Sequence, residues 1–221
     1  MPRKNVRPFL GTPAVVRTIR TMLASGVVNR VVVSTDDDEI AELAGDAGAE
    51  VPGLRPEELA DDHASTVAVV RHAISKWLNG ADPSTTLLVV YPTAVLLTHE
   101  LVGRAADRFI ESDADFLIPV LRYPHPVERR LRISEEGLLV ADEPQHLRSR
   151  TQDLEPAFHD AGQFYIGRLQ AWMDAQNGSP LQSPRALAME LPPDAAVDID
   201  EPQHWELAER RARAMRAEQM E

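Results

Sequence analysis

The segment 30–62 contains two short apolar pieces separated by an amphipathic one. It opens with Val31 to Val33, and β-branched residues favour a strand that is buried in a sheet. Apolar residues then recur at three- and four-residue spacing across 40–47, which predicts a helix, and a second short apolar piece follows at 49–51. A strand, a helix and a strand within about 20 residues indicate a βαβ unit, whose crossover favours a parallel sheet.

Polar segments follow both strands of this unit. The segment 34–38 is acidic, and the segment 55–66 contains Arg55. Ligands of parallel sheets bind beyond the carboxyl ends of the strands, so both segments are expected at a binding edge. Thr35 and Asp36 are equally suited to cap the helix that follows them, and the residues alone leave both interpretations open.

Charge and composition restrict the classes of function. The chain has 221 residues, 43% of them hydrophobic, which suits one sizeable domain. Its 35 acidic and 23 basic residues argue against a nucleic-acid or membrane-surface binder, although a few local cations could hold a small anion. Cysteine is absent, which excludes disulfides and thiolate metal sites. Without a long apolar run or a signal-peptide core, we expect a cytoplasmic protein.

The remaining apolar pattern predicts a single domain that covers 1–221. Segment 85–91, TTLLVVY, has the strongest pattern of a buried strand. Further strands are expected at 114–120, 188–191 and 197–200, and helices at 14–25, 65–78, 100–111, 169–175 and 205–220. Segment 121–155 differs, because it is rich in Pro, Arg and Glu with short alternating pieces around Gly137. It predicts a hairpin arm that projects from the domain.

A pair of aspartates offers candidate metal ligands. Asp198 and Asp200 flank Ile199, so an extended backbone would direct both carboxylates to one face and Ile199 into the core. Such a pair suits Mg²⁺, which usually takes one or two carboxylates together with substrate phosphates. A solvated edge strand followed by a helix cap would give the same pattern.

Two further polar groups allow more than one interpretation. Arg3, Lys4 and Arg7 form a basic cluster that would suit a triphosphate, or would only add solubility to the N-terminal region. Polar side chains also crowd the segment 159–165, HDAGQFY. Because buried polar groups need partners, this segment is either the wall of a polar pocket or a structural network.

Five segments of the chain form one recognisable series. They are PRKNVRPFLGTP (2–13), VVVSTDDDEIAELAGDAGAEVPGLRPEELADDHAST (31–66), VVYPTA (89–94), RTQDLEPAFHDAGQFYIG (150–167) and DIDEPQHWELAE (198–209). Taken in this order, they resemble the nonulosonate cytidylyltransferases, which activate sialic-acid-like sugars as CMP-sugars. The HDAGQFY segment and the tyrosine of VVYPTA are most similar to the pseudaminic acid branch.

The resemblance implies a fold and a reaction. The fold is an α/β Rossmann-like nucleotidyltransferase with three layers and a mostly parallel sheet, and 121–155 would be a dimerisation arm. The reaction is Mg²⁺-dependent transfer of CMP from CTP to a nonulosonic acid, an acidic nine-carbon sugar, with release of pyrophosphate. The implied assembly is a homodimer, and neither nucleic acid nor a membrane is expected as a partner.

The resemblance also assigns roles to individual residues. Tyr91 stands where the sialic acid branch has a glutamine, and Arg150 is the arm residue that would reach the neighbouring subunit's site. The implied catalytic set is Lys4, Asp198 and Asp200, with both aspartates as metal ligands. The implied nucleotide-binding residues are Lys4, Asn5, Arg55 and Thr66, and the implied sugar-binding residues are Tyr91, Thr93, Arg150, Gln163 and Tyr165.

The sequence departs from the family pattern in two places. Family members begin with an apolar strand and a Gly- and Arg-rich loop that wraps the triphosphate, and the resemblance here begins after both. We therefore expect the sheet to lack one strand and the phosphates to lack backbone donors and an arginine. Val95 also stands where a proline is usual. A catalytically silent binding or dimerisation protein, and a cytidylyltransferase for another acidic sugar or a phosphonate, remain as alternatives.

Overall fold

A computed structural model of the chain describes residues 1–61, 64–175 and 178–218. Its strands are β1 (Pro8–Phe9), β2 (Thr12–Pro13), β3 (Thr86–Val90), β4 (Phe116–Arg122), β5 (Leu131–Ile133), β6 (Leu139–Ala141), β7 (Phe158–Asp160), β8 (Phe164–Arg168) and β9 (Ala186–Glu190). Its helices are α1 (Ala14–Ala24), α2 (Asp38–Asp46), α3 (Thr66–Trp77), α4 (His99–Ile110), α5 (Leu169–Asp174) and α6 (Pro202–Glu218). The expected helices are confirmed to within a few residues, except that the expected end of α6 at Met220 lies outside the described residues.

The central sheet has five strands and mixed directions. β8 lies between β3 and β4 and is antiparallel to both, while β9 is parallel to β4 on the opposite edge. β7 continues along the same edge of β4 as β8, with the register Val120 opposite Asp160. β3, β4 and β9 therefore share one direction. The expectation of a mostly parallel sheet holds for the direction of these three strands. Most hydrogen-bonded pairs of neighbouring strands are antiparallel.

The βαβ unit at 30–51 is present with very short strands. Val32 and Glu50 form an isolated parallel bridge on either side of α2. Val33 N donates to Glu50 O at 2.9 Å, and Glu50 N donates to Val31 O at 2.8 Å. The expected crossover is confirmed. The two predicted strands are extended segments that pair at this single bridge.

β3 is less buried than its sequence predicts. Its residues Leu87 to Val90 are only half-buried, because among the described residues β8 is the strand that pairs with it, and its other edge is open. The strand predicted at 85–91 is confirmed, and its predicted burial is wrong.

Helices cover both faces of the sheet and give three layers. On one face, α4 packs against β4 and β8, and its Val102, Ala105 and Phe109 are fully buried. On the other face, α3 and α5 pack on the opposite sides of the same strands, with Val67 and Trp172 in the core. No helix within the described ranges combines the length and the apolar character needed to cross a membrane.

The segment 121–155 forms the expected hairpin. β5 pairs with β6 in a separate two-stranded antiparallel sheet, with Arg132 opposite Val140. Gly137, at φ +81°, lies in the turn, where Ser134 N donates to Leu138 O at 2.9 Å. The hairpin side chains are exposed and do not join the main core.

Candidate active site

The polar residues predicted from the sequence are brought to the edge of the sheet where β3 and the 31–33 segment end. Ser34 to Asp37 follow the 31–33 segment, and Tyr91 to Thr93 follow β3. The loop between β7 and β8, the start of α3 and the 197–200 segment complete this edge. Five parts of the chain therefore contribute to this edge.

Two buried residues hold the aspartate pair in place. Val197 and Ile199 are buried, Ile199 to 1% exposure, whereas Asp198 and Asp200 are exposed. This alternation is the one expected for an extended segment with both carboxylates on one face. The segment is extended, but no neighbouring backbone among the described residues pairs with it. The predicted strand at 197–200 is therefore wrong.

Lys4 lies beside this pair. Its Nζ donates to Ile199 O at 2.8 Å and to Asp200 Oδ1 at 3.2 Å. The N-terminal loop is positioned for this contact by backbone bonds to the start of α1, where Val15 N donates to Asn5 O at 2.9 Å. The N-terminal amine also donates to Asp200 O at 2.9 Å. Residues almost 200 positions apart thus form one cluster.

The Asp198 carboxyl group has a raised pKa. Desolvation by surrounding protein atoms is the main cause, and the negative charges of Asp200 and Asp160 add to it, while Lys4 and His204 oppose it. Negative charge is therefore concentrated at this point, and a bound cation would relieve it. Among the described residues, no three His, Asp or Glu side chains form a metal-binding group. Asp198 and Asp200 suit Mg²⁺, which accepts two carboxylates and fills its shell with water and phosphate.

Hydroxyl groups line the other half of the edge. Tyr91 and Tyr165 lie diagonally on one face of the β3–β8 pair, and their rings meet edge to face at 6.0 Å between centroids. Tyr91 Oη and Thr66 Oγ1 are 2.8 Å apart, and the Tyr165 hydroxyl donates to Asp160 Oδ2. Burial of Tyr165, followed by its bond to Asp160, raises the pKa of its hydroxyl. Asp160 was not among the predicted site residues, although its place in the polar HDAGQFY segment marks it.

Arg55 is attached to the end of the 31–33 segment. Its Nη2 donates to Asp36 Oδ1 at 2.8 Å and its backbone N donates to Thr35 O at 2.7 Å. Asp37, and neither Thr35 nor Asp36, caps α2, because its Oδ1 accepts from Ile40 N at 3.1 Å. The interpretation of Thr35 and Asp36 as helix caps is therefore wrong, because the cap is Asp37, the residue after Asp36. Thr35 is buried, and its hydroxyl accepts from Asp37 N at 3.1 Å.

Two predicted sugar-binding residues have side chains that bond to other parts of the protein. Gln163 is 2% exposed, and its Nε2 donates to the carbonyls of Ala161, Gly162 and Val197, which ties the β7–β8 loop to the aspartate segment. Arg150 is exposed in the arm and pairs within the described chain with Asp153 at 3.5 Å. Its predicted role requires a second subunit.

Thr93 and His204 complete the account of this edge. Thr93 is half-buried in the turn after β3, next to Tyr91. His204 was not predicted, but its Nδ1 accepts from Asp200 N and Glu201 N, both at 3.3 Å, and so holds the end of the aspartate segment at the start of α6. Its spacing of four residues after Asp200 was the signal available in the sequence.

Comparisons with known proteins find relatives in sequence and in fold. The chain is 35% identical over 208 residues to a pseudaminic acid cytidylyltransferase of Campylobacter jejuni, covering 94% of this chain and 88% of the relative. It is 28% identical to the CMP-N,N'-diacetyllegionaminic acid synthase of Legionella pneumophila, covering 95% and 89%. The fold matches a CMP:2-keto-3-deoxy-manno-octonic acid synthetase solved with CTP, with a TM-score of 0.66, 11% identity and coverage of 99% and 93%. A family model described as Cytidylyltransferase matches residues 1–172, and the chain belongs to this family.

Proposed function

We propose that this protein transfers CMP from CTP to a nonulosonic acid, with pseudaminic acid as the first candidate, and releases pyrophosphate. The observation that carries the proposal is the cluster of Lys4, Asp198 and Asp200 beside the hydroxyl groups of Tyr91 and Tyr165, with the predicted nucleotide-binding residue Thr66 at 2.8 Å from the Tyr91 hydroxyl. One half of this edge is suited to a metal and a phosphate, and the other half is suited to a polar sugar. The names of the relatives in Campylobacter jejuni support the choice of sugar.

In the proposed reaction, the anomeric hydroxyl oxygen of the sugar attacks the α-phosphorus of CTP. The bond from that phosphorus to the bridging oxygen breaks, pyrophosphate leaves with the electron pair, and the hydroxyl proton passes to water. The chain's own residues contribute mainly position and charge, as phosphoryl transfer generally requires. Lys4, held by Ile199 O, would contact a phosphate oxygen.

Asp198 and Asp200 would hold Mg²⁺. When bound there, the ion supplies charge neutralisation for the phosphates and lowers the pKa of a hydroxyl that coordinates it. Arg55 and Asn5 would line the nucleotide. Arg55 lies at the end of the 31–33 segment, and Asn5 lies next to Lys4 of the cluster. Gln163 would act indirectly, because its amide fixes the position of the loop that faces Asp198.

The proposal includes a homodimer formed through the arm. Ile133 is 74% exposed and Leu139 is 70% exposed, and an apolar patch of this kind is typical of an interface. At the base of the arm, a groove of about 430 Å³ is lined mainly by apolar groups, among them Leu121, Tyr123 and Leu154. We propose that a second copy of the chain packs on this apolar surface and that Arg150 acts at the partner's site.

The test is pyrophosphate release from CTP and Mg²⁺ with a panel of nonulosonic acids. We expect release with pseudaminic acid and no release without a sugar. Asp200→Asn should abolish it with the fold intact by circular dichroism, whereas Asp113→Asn, an exposed aspartate after α4, should leave it unchanged. Full activity of Asp200→Asn would contradict the metal role, and no release with any sugar would contradict the function.

A further inference from the structure

The backbone that leads to the aspartate pair leaves the sheet shortly before it reaches the candidate site. Leu191 N donates to Val120 O at 2.9 Å, just after the end of β9. The chain then turns, and Ala195 N closes this turn by donating to Pro192 O at 2.9 Å. We call residues 192–196 the approach loop, because they connect β9 to the aspartates.

Arg211 of α6 holds the approach loop. Its Nη1 donates to Pro193 O at 2.9 Å and to Ala196 O at 2.8 Å, and its Nε lies 3.2 Å from Asp194 Oδ1. One guanidinium therefore bonds to three residues of the loop. Since Ala196 is two residues before Asp198, the position of the Ala196 carbonyl limits where the Asp198 carboxylate can lie.

Packing of α6 fixes Arg211 in turn. Ala208 and Ala212 are 0% and 4% exposed, and both belong to one buried cluster. Phe9 and Trp205 are members of the same cluster, so α6 is attached to the domain on either side of Arg211. The Arg211 side chain itself is only 24% exposed. Its planar guanidinium presents several donors in a fixed geometry, which makes it a rigid support.

Other side chains support the carbonyls that follow the approach loop. Gln163 Nε2 donates to Val197 O at 3.2 Å, and Lys4 Nζ donates to Ile199 O at 2.8 Å. Side chains from distant parts of the chain thus bond to backbone that has no strand partner among the described residues. Arg211 differs from Gln163 and Lys4 because it has no part in the proposed function.

We propose that Arg211 is a positioning residue for the metal site, which fixes the approach loop so that Asp198 and Asp200 present their carboxylates to one ion. This inference rests on the proposed function and deepens it. Without the guanidinium, two carbonyls lose their donor and the loop can shift, so both carboxylates are less often in place together. Residues that orient metal ligands typically contribute a factor of about 10–100 in metal affinity. The pairing with Asp194 contributes little, because Asp194 is 76% exposed.

Binding of Mn²⁺ without CTP or sugar tests the inference. Mn²⁺ takes the same oxygen ligands as Mg²⁺, and the electron paramagnetic resonance signal of the free ion measures its binding. Arg211→Met keeps the length of the side chain and removes every donor, so we expect a dissociation constant roughly tenfold higher than that of the wild type. Arg211→Lys, which keeps the charge, should give an intermediate constant. Arg210→Met, at the exposed neighbouring arginine, and Asp194→Asn should match the wild type.

Asp198→Asn should abolish the binding, which would assign the bound ion to this site. Equal constants for the wild type and Arg211→Met, or an equal loss in Arg210→Met, would overturn the inference. Binding that survives Asp198→Asn, or no binding by the wild type, would overturn it as well. Circular dichroism checks that each variant is folded at the temperature of the titration. If Arg211→Met does not fold, Arg211→Lys must still bind the ion more weakly than the wild type.

Pyrophosphate release separates positioning from a purely structural role. Arg211→Met should raise the Mg²⁺ concentration for half-maximal release roughly tenfold. The KM for pseudaminic acid should change by less than about twofold, because β3 and β8 place Tyr91 and Tyr165. A lower Tm with an unchanged Mg²⁺ requirement would show a structural role alone. If the wild type releases no pyrophosphate, the proposed function fails, and the Mn²⁺ titration still decides the inference.

Discussion

Gly162 shows how a single residue shapes the candidate site. Its φ of +62° lies in the left-handed region, and a Cβ added there would lie 3.4 to 3.5 Å from the Asp198 carboxylate. Glycine at this position therefore keeps the β7–β8 loop tight and leaves the carboxylate room. The neighbouring Gln163 ties the same loop to Val197 O at 3.2 Å.

We predict that Gly162→Ala weakens both the fold and the metal site. A non-glycine residue in the left-handed region costs about 1–2 kcal/mol, and a backbone shift that relieves this strain would move the loop that contacts the Asp198 carboxylate. We expect a lower Tm and a higher Mg²⁺ concentration for half-maximal pyrophosphate release. Gly45→Ala in α2, where an added Cβ meets nothing within 4 Å, is the control, and it should raise the Tm slightly. Equal Mg²⁺ requirements for the two variants would contradict the prediction.

Asp198 should reduce the stability of the metal-free protein. Its folded-state pKa is raised, first by desolvation and then by Asp200, so the folded state is penalised when the group ionises. Above the unfolded-state pKa of about 3.9, the penalty grows with pH until the folded-state pKa is passed. Asp198→Asn should therefore raise the Tm at pH 7 without Mg²⁺, by a margin that disappears in acid, and it should abolish activity. A lower Tm at pH 7 would contradict this.

At the scale of elements, the arm is the part whose apolar surface lacks a partner. β5 and β6 form a two-stranded sheet, and an isolated hairpin is marginally stable in water at best. Arg130 and Arg132 both pair with Asp142, which links the start of the hairpin to its end. A second copy would cover the exposed side chains that this pairing leaves in solvent.

We predict that Ile133→Glu combined with Leu139→Glu converts a dimer into a monomer. Charged groups in an apolar interface lose hydration without gaining partners, so association should weaken by a large factor. Sedimentation velocity of both proteins at the same concentration measures this directly. Ile110→Glu, at an equally exposed apolar position on α4, is the control. A wild type that sediments as a monomer would refute the dimer.

At the scale of the whole molecule, the two ends of the chain pack together and support the site. Phe9 and Trp205 are buried, with ring centroids 5.6 Å apart, and Arg7 lies over the Trp205 ring. This packing holds the N-terminal loop, and with it Lys4, against the 197–200 segment. The site therefore depends on a contact between the first ten residues and α6.

Trp205→Ala should lower both stability and activity. Removing a buried tryptophan side chain costs about 3–5 kcal/mol, measured by urea unfolding. Trp205→Phe should retain most of the stability and activity, because an aromatic ring still meets Phe9. The activity loss should show in kcat more than in the KM for the sugar, since Lys4 and the aspartates are displaced and Tyr91 and Tyr165 are not. Unchanged kcat in a folded Trp205→Ala protein would contradict this coupling.

The sequence by itself determined the features that local patterns encode. Periodicity predicted the helices, the crossover at 30–51 and the hairpin arm, and the alternation around Ile199 predicted two exposed carboxylates. Tertiary structure decided which distant residues meet. It brought Lys4 to Asp200, paired β3 with β8 while leaving the other edge of β3 open, and joined Asp160 to Tyr165. Such contacts depend on strand register and packing between segments far apart in the chain, which no local pattern specifies.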